Sequence, residues 1–190
     1  MRIIVIGFLL LSIMACSSSA TVTHYYLLNS QSSVPTPQAV NADRTKVQLS
    51  VTLASYLNQP YLVMQIDEHK LNYATAHMWA EPLKSETQKS LLADLNTQQQ
   101  TLQFISTDKY QLKPNQPQLN IQIDYFHVTH QAKVILVGYY HATGMEEKHN
   151  IETFRIEMPL QADGYSQSVA QMRQLISKLA LQITNNLKSS

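Results

Sequence analysis

Seven histidines in this 190-residue chain raise the question of metal binding first. His127 and His130 are three residues apart, and His141 lies on the strand that the pattern predicts next. A turn at residues 130–131 places His127 opposite about residue 134, so His141 lies several residue pairs further along the ladder. The chain has no His-Glu-x-x-His helix motif. The spacing therefore favours core or solvated histidines, and we predict no metal site.

Candidates for hydrolytic chemistry are also sparse. No serine lies in a Gly-x-Ser-x-Gly elbow. Asp67, Glu68 and His69 occupy one predicted polar turn, where adjacent side chains rarely converge on a substrate. Glu146 and Glu147 lie in a predicted hairpin loop, and a carboxylate pair assembled in space stays open as an alternative. We predict no catalytic residue and no cofactor.

Cys16, the single cysteine, has the most informative setting in the chain. An apolar run over residues 3–11 precedes it and is too short to span a bilayer. The tetrapeptide 13–16, Ile-Met-Ala-Cys, resembles the bacterial lipobox, although Met14 is larger than the residue usual there. The resemblance implies a signal peptide over residues 1–15, cleavage before Cys16 and acylation of Cys16. The alternative is that Cys16 is an incidental thiol.

The charge balance changes once the signal peptide is removed. The full chain carries a formal charge of +1, and removal of Arg2 leaves equal numbers of basic and acidic residues. Such a body has no strong field for nucleic acid, so we predict no nucleic-acid partner. Two or three acyl chains would instead hold it stably at a membrane, with residues 16–23 as a short tether. By resemblance to sorting in enteric bacteria, Ser17 after Cys16 implies the outer membrane.

The remaining pattern predicts one α+β domain over residues 24–190, with a mostly antiparallel sheet and two principal helices. Apolar and polar residues alternate over 47–53 and 119–125, as in half-buried strands. Residues 133–140 are apolar on both faces, which predicts a central strand in a meander. Shorter strands are predicted at 24–28, 61–66, 71–74, 102–105 and 151–160.

Two helices complete the prediction. Pro82 opens the first, which runs to about Thr97. The second follows residues 163–166 and carries one apolar stripe. The stripe consists of Val169, Met172, Ile176, Leu179 and Ile183. We expect it to pack on the sheet, with a seam for a partner helix as the alternative. The opposite face is expected to carry Gln171, Arg173, Gln174, Lys178 and Gln182.

Residues 77–83, His-Met-Trp-Ala-Glu-Pro-Leu, form the most distinctive segment. Together with the Leu-Leu-Ala-Asp-Leu helix end at 91–95, this segment resembles the PqiC (YmbA) family. These proteins are lipoproteins classed as auxiliary components of ABC-type transport. Four further segments match the family in order, so that the resemblance covers nearly all of residues 13–187. They are 25–28, 53–57, 119–138 and 163–165.

The resemblance implies an accessory role without chemical turnover. It implies a lipid-anchored protein on the periplasmic face of the outer membrane that docks the tube of an MCE-domain (PqiB-like) protein. This tube and its inner-membrane partner would move lipid between the membranes and support envelope integrity. The resemblance further suggests a homo-oligomeric ring. The alternative function is an assembly or plug lipoprotein of another envelope or secretion complex.

Four residues are candidates for contact with a partner or with lipid: Trp79, Glu81, Tyr139 and Tyr140. Tyrosine and tryptophan are favoured at interfaces because they combine apolar area with a polar group. Each candidate also has a structural explanation. Trp79 could fill the core, and Glu81 could complement the dipole of the following helix. The Tyr139-Tyr140 pair should place one ring on each face of the sheet.

Overall fold

The computed structural model describes residues 21–29, 44–106, 116–144 and 151–189. The predicted signal peptide, Cys16 and the Glu146-Glu147 pair lie outside these ranges. The described strands are β1 His24–Tyr26, β2 Thr45–Leu53, β3 Tyr61–Asp67, β4 Lys70–Trp79, β5 Leu102–Ser106, β6 Gln118–Val128, β7 Lys133–Thr143 and β8 Glu152–Pro159. The helices are α1 Leu83–Gln98 and α2 Tyr165–Ser189, and a 3-10 turn spans Ser55–Leu57.

Strand β6 is the branch point of one eight-stranded sheet within the described residues. One edge of β6 pairs with β7, which continues to β8. Its other edge pairs with β2 along the first half and with β3 at Val128. Strand β5 lies beyond β2, while β4 and then β1 lie beyond β3. The long pairings are antiparallel, which confirms the predicted α+β class, whereas the shorter parallel pairings were not foreseen.

Both helices pack on the same face of this sheet. Helix α1 lies against β2 and β5, and helix α2 lies against β6, β7 and β8 and against α1. All five residues of the predicted α2 stripe are buried, which confirms packing on the sheet. The opposite side of the sheet, called here the helix-free face, is covered by neither helix.

The prediction for the opposite face of α2 is wrong at Gln171 and Arg173, which are both buried. The Gln171 amide donates a hydrogen bond to the Pro159 carbonyl at 2.8 Å and accepts one from the Gln161 backbone N–H at 3.2 Å. The end of β8 is thereby bonded to α2. Since each polar group finds a partner, burial of this glutamine is tolerated.

The strand predicted over 119–125 is present as part of β6, but the alternation of buried and exposed side chains breaks at Tyr125. The β6–β7 register shifts between Ile123 and Tyr125, as at a β-bulge, and the side chains beyond it change faces. Phe126 takes the core position, and Tyr125 is 51% exposed on the helix-free face. Pairing of His127 with Ile135 and of His141 with Asn120 confirms that these two histidines are too far apart to share an ion.

Gln48 is a buried side chain on β2 with an unfavourable environment. It is fully buried, and neither its amide nitrogen nor its amide oxygen has a hydrogen-bond partner. An unsatisfied buried polar group destabilises the folded state, so we expect Gln48→Leu to raise the free energy of unfolding by about 1–3 kcal/mol. Urea unfolding of the purified domain measures the change.

Gln88 on α1 offers a matched control for Gln48. It is also buried, but its amide donates to the Ser106 hydroxyl at 2.8 Å and to the Leu49 carbonyl at 3.5 Å. Gln88→Leu should therefore lower the unfolding free energy by about 1 kcal/mol. Equal effects of the two substitutions would contradict this account.

Candidate contact site and the N-terminal strand

Strand β1 begins eight residues after Cys16 and is fixed to both layers of the domain. It pairs in parallel with β4, with His24 opposite His77 and Tyr26 opposite Trp79. The Tyr26 hydroxyl is 2.8 Å from His77 Nδ1, and the His77 ring stacks on Tyr165 of α2 with centroids 3.6 Å apart. These contacts hold the first strand of the domain against the start of the last helix.

Asn29, three residues beyond β1, connects the N-terminal segment to α1. Its side-chain amide donates to both the carboxylate and the backbone carbonyl of Glu86 at 3.3 Å. Its side-chain oxygen accepts from the Ser90 hydroxyl at 2.8 Å and from Arg173 Nε at 3.0 Å. One asparagine side chain therefore bonds to both helices.

A buried ion pair between the helices supports this connection. The Arg173 guanidinium donates to both carboxylate oxygens of Asp94, at 2.6 and 2.7 Å. Ser177 donates to the same carboxylate at 2.9 Å. The sequence pattern did not predict this network, although Asp94 shares the buried face of α1 with Leu91 and Leu95. An acidic residue on the buried face of one helix and a basic residue beside the apolar stripe of the other could have predicted an ion pair between the helices.

Trp79 closes the core where β4 leads into α1. It is 6% exposed and lines an apolar pocket with Leu62, Leu83 and Phe126 among its neighbours. The pocket has a volume of about 10 Å³, which is room for about one water molecule and not for an acyl chain. Trp79 therefore has the structural position expected of a core residue, and the pocket beside it is too small for a lipid tail.

Glu81 is exposed directly before α1. It forms an ion pair with Lys89, which also contacts Glu86 at 3.2 Å. The hydrogen bond from Lys89 lowers the pKa of Glu81, and the bonds to Glu81 and Glu86 raise the pKa of Lys89. Since solvent screens such pairs, Glu81 remains available for a contact at little cost to stability.

Tyr139 and Tyr140 lie on opposite faces of β7, as the alternation predicts. Tyr140 is buried, and its hydroxyl accepts a hydrogen bond from the Asn186 side chain on α2 at 2.7 Å. Burial raises the pKa of this phenol. Tyr139 is partly exposed on the helix-free face. Of the four candidate contact residues, Glu81 and Tyr139 are therefore exposed, on different sides of the sheet, whereas Trp79 and Tyr140 are buried in the core.

Neither a metal site nor a membrane-spanning helix is found in the described part of the chain. No group of three or more His, Cys, Asp or Glu side chains converges there. The two helices, Leu83–Gln98 and Tyr165–Ser189, are not long and apolar enough to cross a bilayer.

His127 is the buried histidine whose protonation bears on stability. Burial lowers its pKa, and its Nδ1 lies 3.1 Å from the Val128 carbonyl. The folded state therefore binds fewer protons than the unfolded state, so stability should fall as the pH drops below about 6.5. We expect His127→Phe to reduce this loss between pH 7 and pH 5, as measured by thermal unfolding. His69→Phe, in the exposed β3–β4 turn, should leave the loss of stability between pH 7 and pH 5 unchanged. If stability fell equally with pH in both variants, His127 would not be the residue responsible.

The fold and these surfaces define a small α+β domain whose N-terminal strand is bonded to its helices and whose described part has no metal-binding cluster. A family model described as the ABC-type transport auxiliary lipoprotein component matches residues 25–184. The chain belongs to this family. It is therefore a membrane-associated lipoprotein and a non-enzymatic accessory component of transport.

Two curated relatives match over nearly their whole length. Both are named intermembrane transport lipoprotein PqiC, one from Escherichia coli K12 and one from Shigella flexneri. Each is 27% identical over 173 residues, covering 91% of this chain and 90% of the relative. The predicted family resemblance is thereby confirmed.

Two solved structures share the fold. An uncharacterized protein superposes with a TM-score of 0.71 at 21% identity, covering 87% of this chain and 99% of its own. A protein from Xanthomonas campestris, of a family designated DUF330, gives a TM-score of 0.59 at 12% identity, covering 89% and 97%. At these identities the likeness concerns the fold alone.

Proposed function

We propose that this chain is a lipid-anchored accessory subunit of an MCE-type intermembrane lipid transport system. It is attached through acylated Cys16 to the periplasmic face of the outer membrane. There it docks the tube of an MCE-domain protein that an inner-membrane partner energises. The observation that carries the proposal is the match of residues 25–184 to the auxiliary-lipoprotein family, together with relatives named for intermembrane transport.

The described features are compatible with a docking role. The pocket beside Trp79 has no room for a lipid tail, so cargo would pass along the subunit or its assembly and not through this pocket. The proposed docking surface includes Glu81, which is exposed beside α1. Tyr139 is exposed on the helix-free face, the other side of the sheet, and is assigned to contact with lipid. Trp79 and Tyr140 contribute indirectly, by packing β4 and β7 into the core. A homo-oligomeric ring would present the surface several times around the tube.

Co-purification tests docking directly. The intact lipoprotein, isolated from detergent-solubilised envelopes, should retain an MCE-domain protein, and Glu81→Ala should weaken this retention without changing the circular dichroism spectrum. Glu157→Ala, which removes another exposed carboxylate with a lysine partner, is the matched control. Absence of any MCE-domain protein from the purified lipoprotein would refute the docking role.

The anchor is tested separately. Cys16→Ala should move the protein from the membrane to the soluble periplasmic fraction, because two or three acyl chains contribute about 0.8 kcal/mol per buried methylene. Cell fractionation with immunoblotting measures the shift, and Ser18→Ala should stay with the membrane. A processed Cys16→Ala protein that still sediments with membranes would rule out acylation of this residue as the anchor.

A further inference from the structure

We propose that the anchored domain rests on the bilayer through a band of tyrosines on the helix-free face; this inference depends on the proposed anchor at Cys16. The band, called here the tyrosine stripe, consists of Tyr25, Tyr56, Tyr61, Tyr73 and Tyr125. Its members come from β1, the 3-10 turn, β3, β4 and β6. Distant parts of the chain are therefore brought together on one surface.

The rings of the stripe form a continuous series. Tyr61 and Tyr73 have ring centroids 6.4 Å apart, and the Tyr73 hydroxyl donates to the Tyr56 carbonyl at 3.4 Å. The buried ring of His127 then contacts both Tyr56 and Tyr125, with centroids 6.1 Å from each. The bulge in β6 is what turns Tyr125 to this face.

Tyr25 extends the stripe to the edge of the sheet. It pairs in register with Met78, which also pairs with Tyr61. Successive strand side chains point to opposite faces, and Tyr26 packs toward Tyr165 of α2, so Tyr25 points to the helix-free face. It is 64% exposed.

The chemistry of the stripe suits a lipid headgroup region. Tyrosine places an apolar ring in the interface while its hydroxyl stays hydrated, which is why it is enriched at membrane–water boundaries. The five members carry no charge, and burial lowers the pKa of His127 beneath them, which keeps that ring neutral. Contact of this kind does not require anionic lipid.

The position of the anchor selects the bilayer as the occupant. Tyr25 is the ninth residue after Cys16, so its backbone lies at most about 30 Å from the acylated residue. Exposed Val22 and Leu27 flank Tyr25 and add apolar surface at the same edge. Once the chain is tethered, insertion of the rings is intramolecular, so weak contacts suffice to orient the domain.

Depth-dependent fluorescence quenching tests this orientation. Because acylation consumes the thiol of the only native cysteine, a single engineered cysteine can be labelled specifically. The intact lipoprotein would carry a fluorophore at Tyr125→Cys or at Leu181→Cys, two positions that are each 51% exposed but lie on opposite layers. Both proteins would be reconstituted into phosphatidylcholine vesicles that contain headgroup nitroxide lipids.

We expect the label at Tyr125 to be quenched at least about threefold more than the label at Leu181, because the stripe lies at headgroup depth. Tyr73→Cys repeats the measurement should the Tyr125 variant misfold, as judged by circular dichroism. Equal quenching, or stronger quenching at Leu181, in protein that floats with the vesicles overturns the proposed orientation but not the proposed anchor.

Protein that does not float with the vesicles overturns both the proposed anchor and the proposed contact of the tyrosine stripe with the bilayer. Shielding at Tyr125 only when an MCE-domain protein is added makes the stripe a protein interface, which also overturns the inference.

Discussion

Replacing Arg173 with methionine is expected to lower the free energy of unfolding by about 3–5 kcal/mol, since it leaves the Asp94 carboxylate buried without its partner. Both side chains are about 10% exposed, so water replaces little of the lost interaction. The substitution also removes the bond from Arg173 Nε to Asn29. Urea unfolding of the purified variant and of the unchanged domain, followed by the fluorescence of the single buried tryptophan, measures the effect.

Two controls separate burial from charge. Lys133→Met breaks an exposed ion pair with Glu157, formed at 2.8 Å, and should cost less than about 1 kcal/mol. The double variant Arg173→Met with Asp94→Leu should recover much of the loss, because no buried charge then remains unpaired. A loss as small for Arg173→Met as for Lys133→Met would show that the Asp94–Arg173 pair does not hold the two helices together.

The second large effect is expected at Gly138 in the middle of β7. A Cβ atom there would lie 2.0 Å from the Gln122 carbonyl oxygen and 2.9 Å from the Phe154 ring. The first contact is with backbone, which cannot rotate away, so the β6–β7–β8 pairing must shift. We expect Gly138→Ala to cost about 3 kcal/mol or more, the upper end for added volume in a packed core.

Gly164 provides the comparison for Gly138. It adopts a φ of +108°, and a Cβ there would meet no atom within 4 Å. Gly164→Ala should therefore lower the free energy of unfolding only through backbone strain, by about 1–3 kcal/mol, and should leave the register of the sheet intact. Amide hydrogen exchange in β7 and β8 distinguishes the two: faster exchange is expected in Gly138→Ala alone. If the amides of β7 and β8 exchanged no faster in Gly138→Ala, the predicted clash between the added Cβ and the Gln122 carbonyl would be contradicted.

The sequence predicted those elements whose residues follow a regular period. The α2 stripe and the alternation in β2 locate buried faces because one helix or strand face must meet the core. The meander of β6, β7 and β8 pairs strands that are neighbours in sequence, so adjacent segments of the chain suffice to predict it. The parallel pairings of β2 with β5 and β6 join segments far apart in sequence, and no local pattern specifies them.

The failures at Tyr125, Gln171 and Arg173 have two physical causes. A β-bulge in β6 reverses the alternation of buried and exposed side chains from Tyr125 onward. The bulge is set by the pairing of β6 with β7, which the sequence of β6 alone does not specify. Polar side chains on α2 become buried when another element supplies their partners, as Pro159 and Asp94 do. For the candidate site, the sequence predicted which residue types could form contacts. Which of them are exposed and which are buried depends on how the helices pack on the sheet, and the sequence does not specify that packing.

The bonds around Asn29 also define a path for mechanical load. A pull on the N-terminal tether reaches the domain at β1, where only three residues pair with β4. Directly behind them, Asn29 transmits the pull to Glu86 and Ser90 on α1 and to Arg173 on α2. If the chain is anchored and docked as proposed, tension between the membrane and the partner would be shared by both helices, and the Asp94–Arg173 pair would resist their separation.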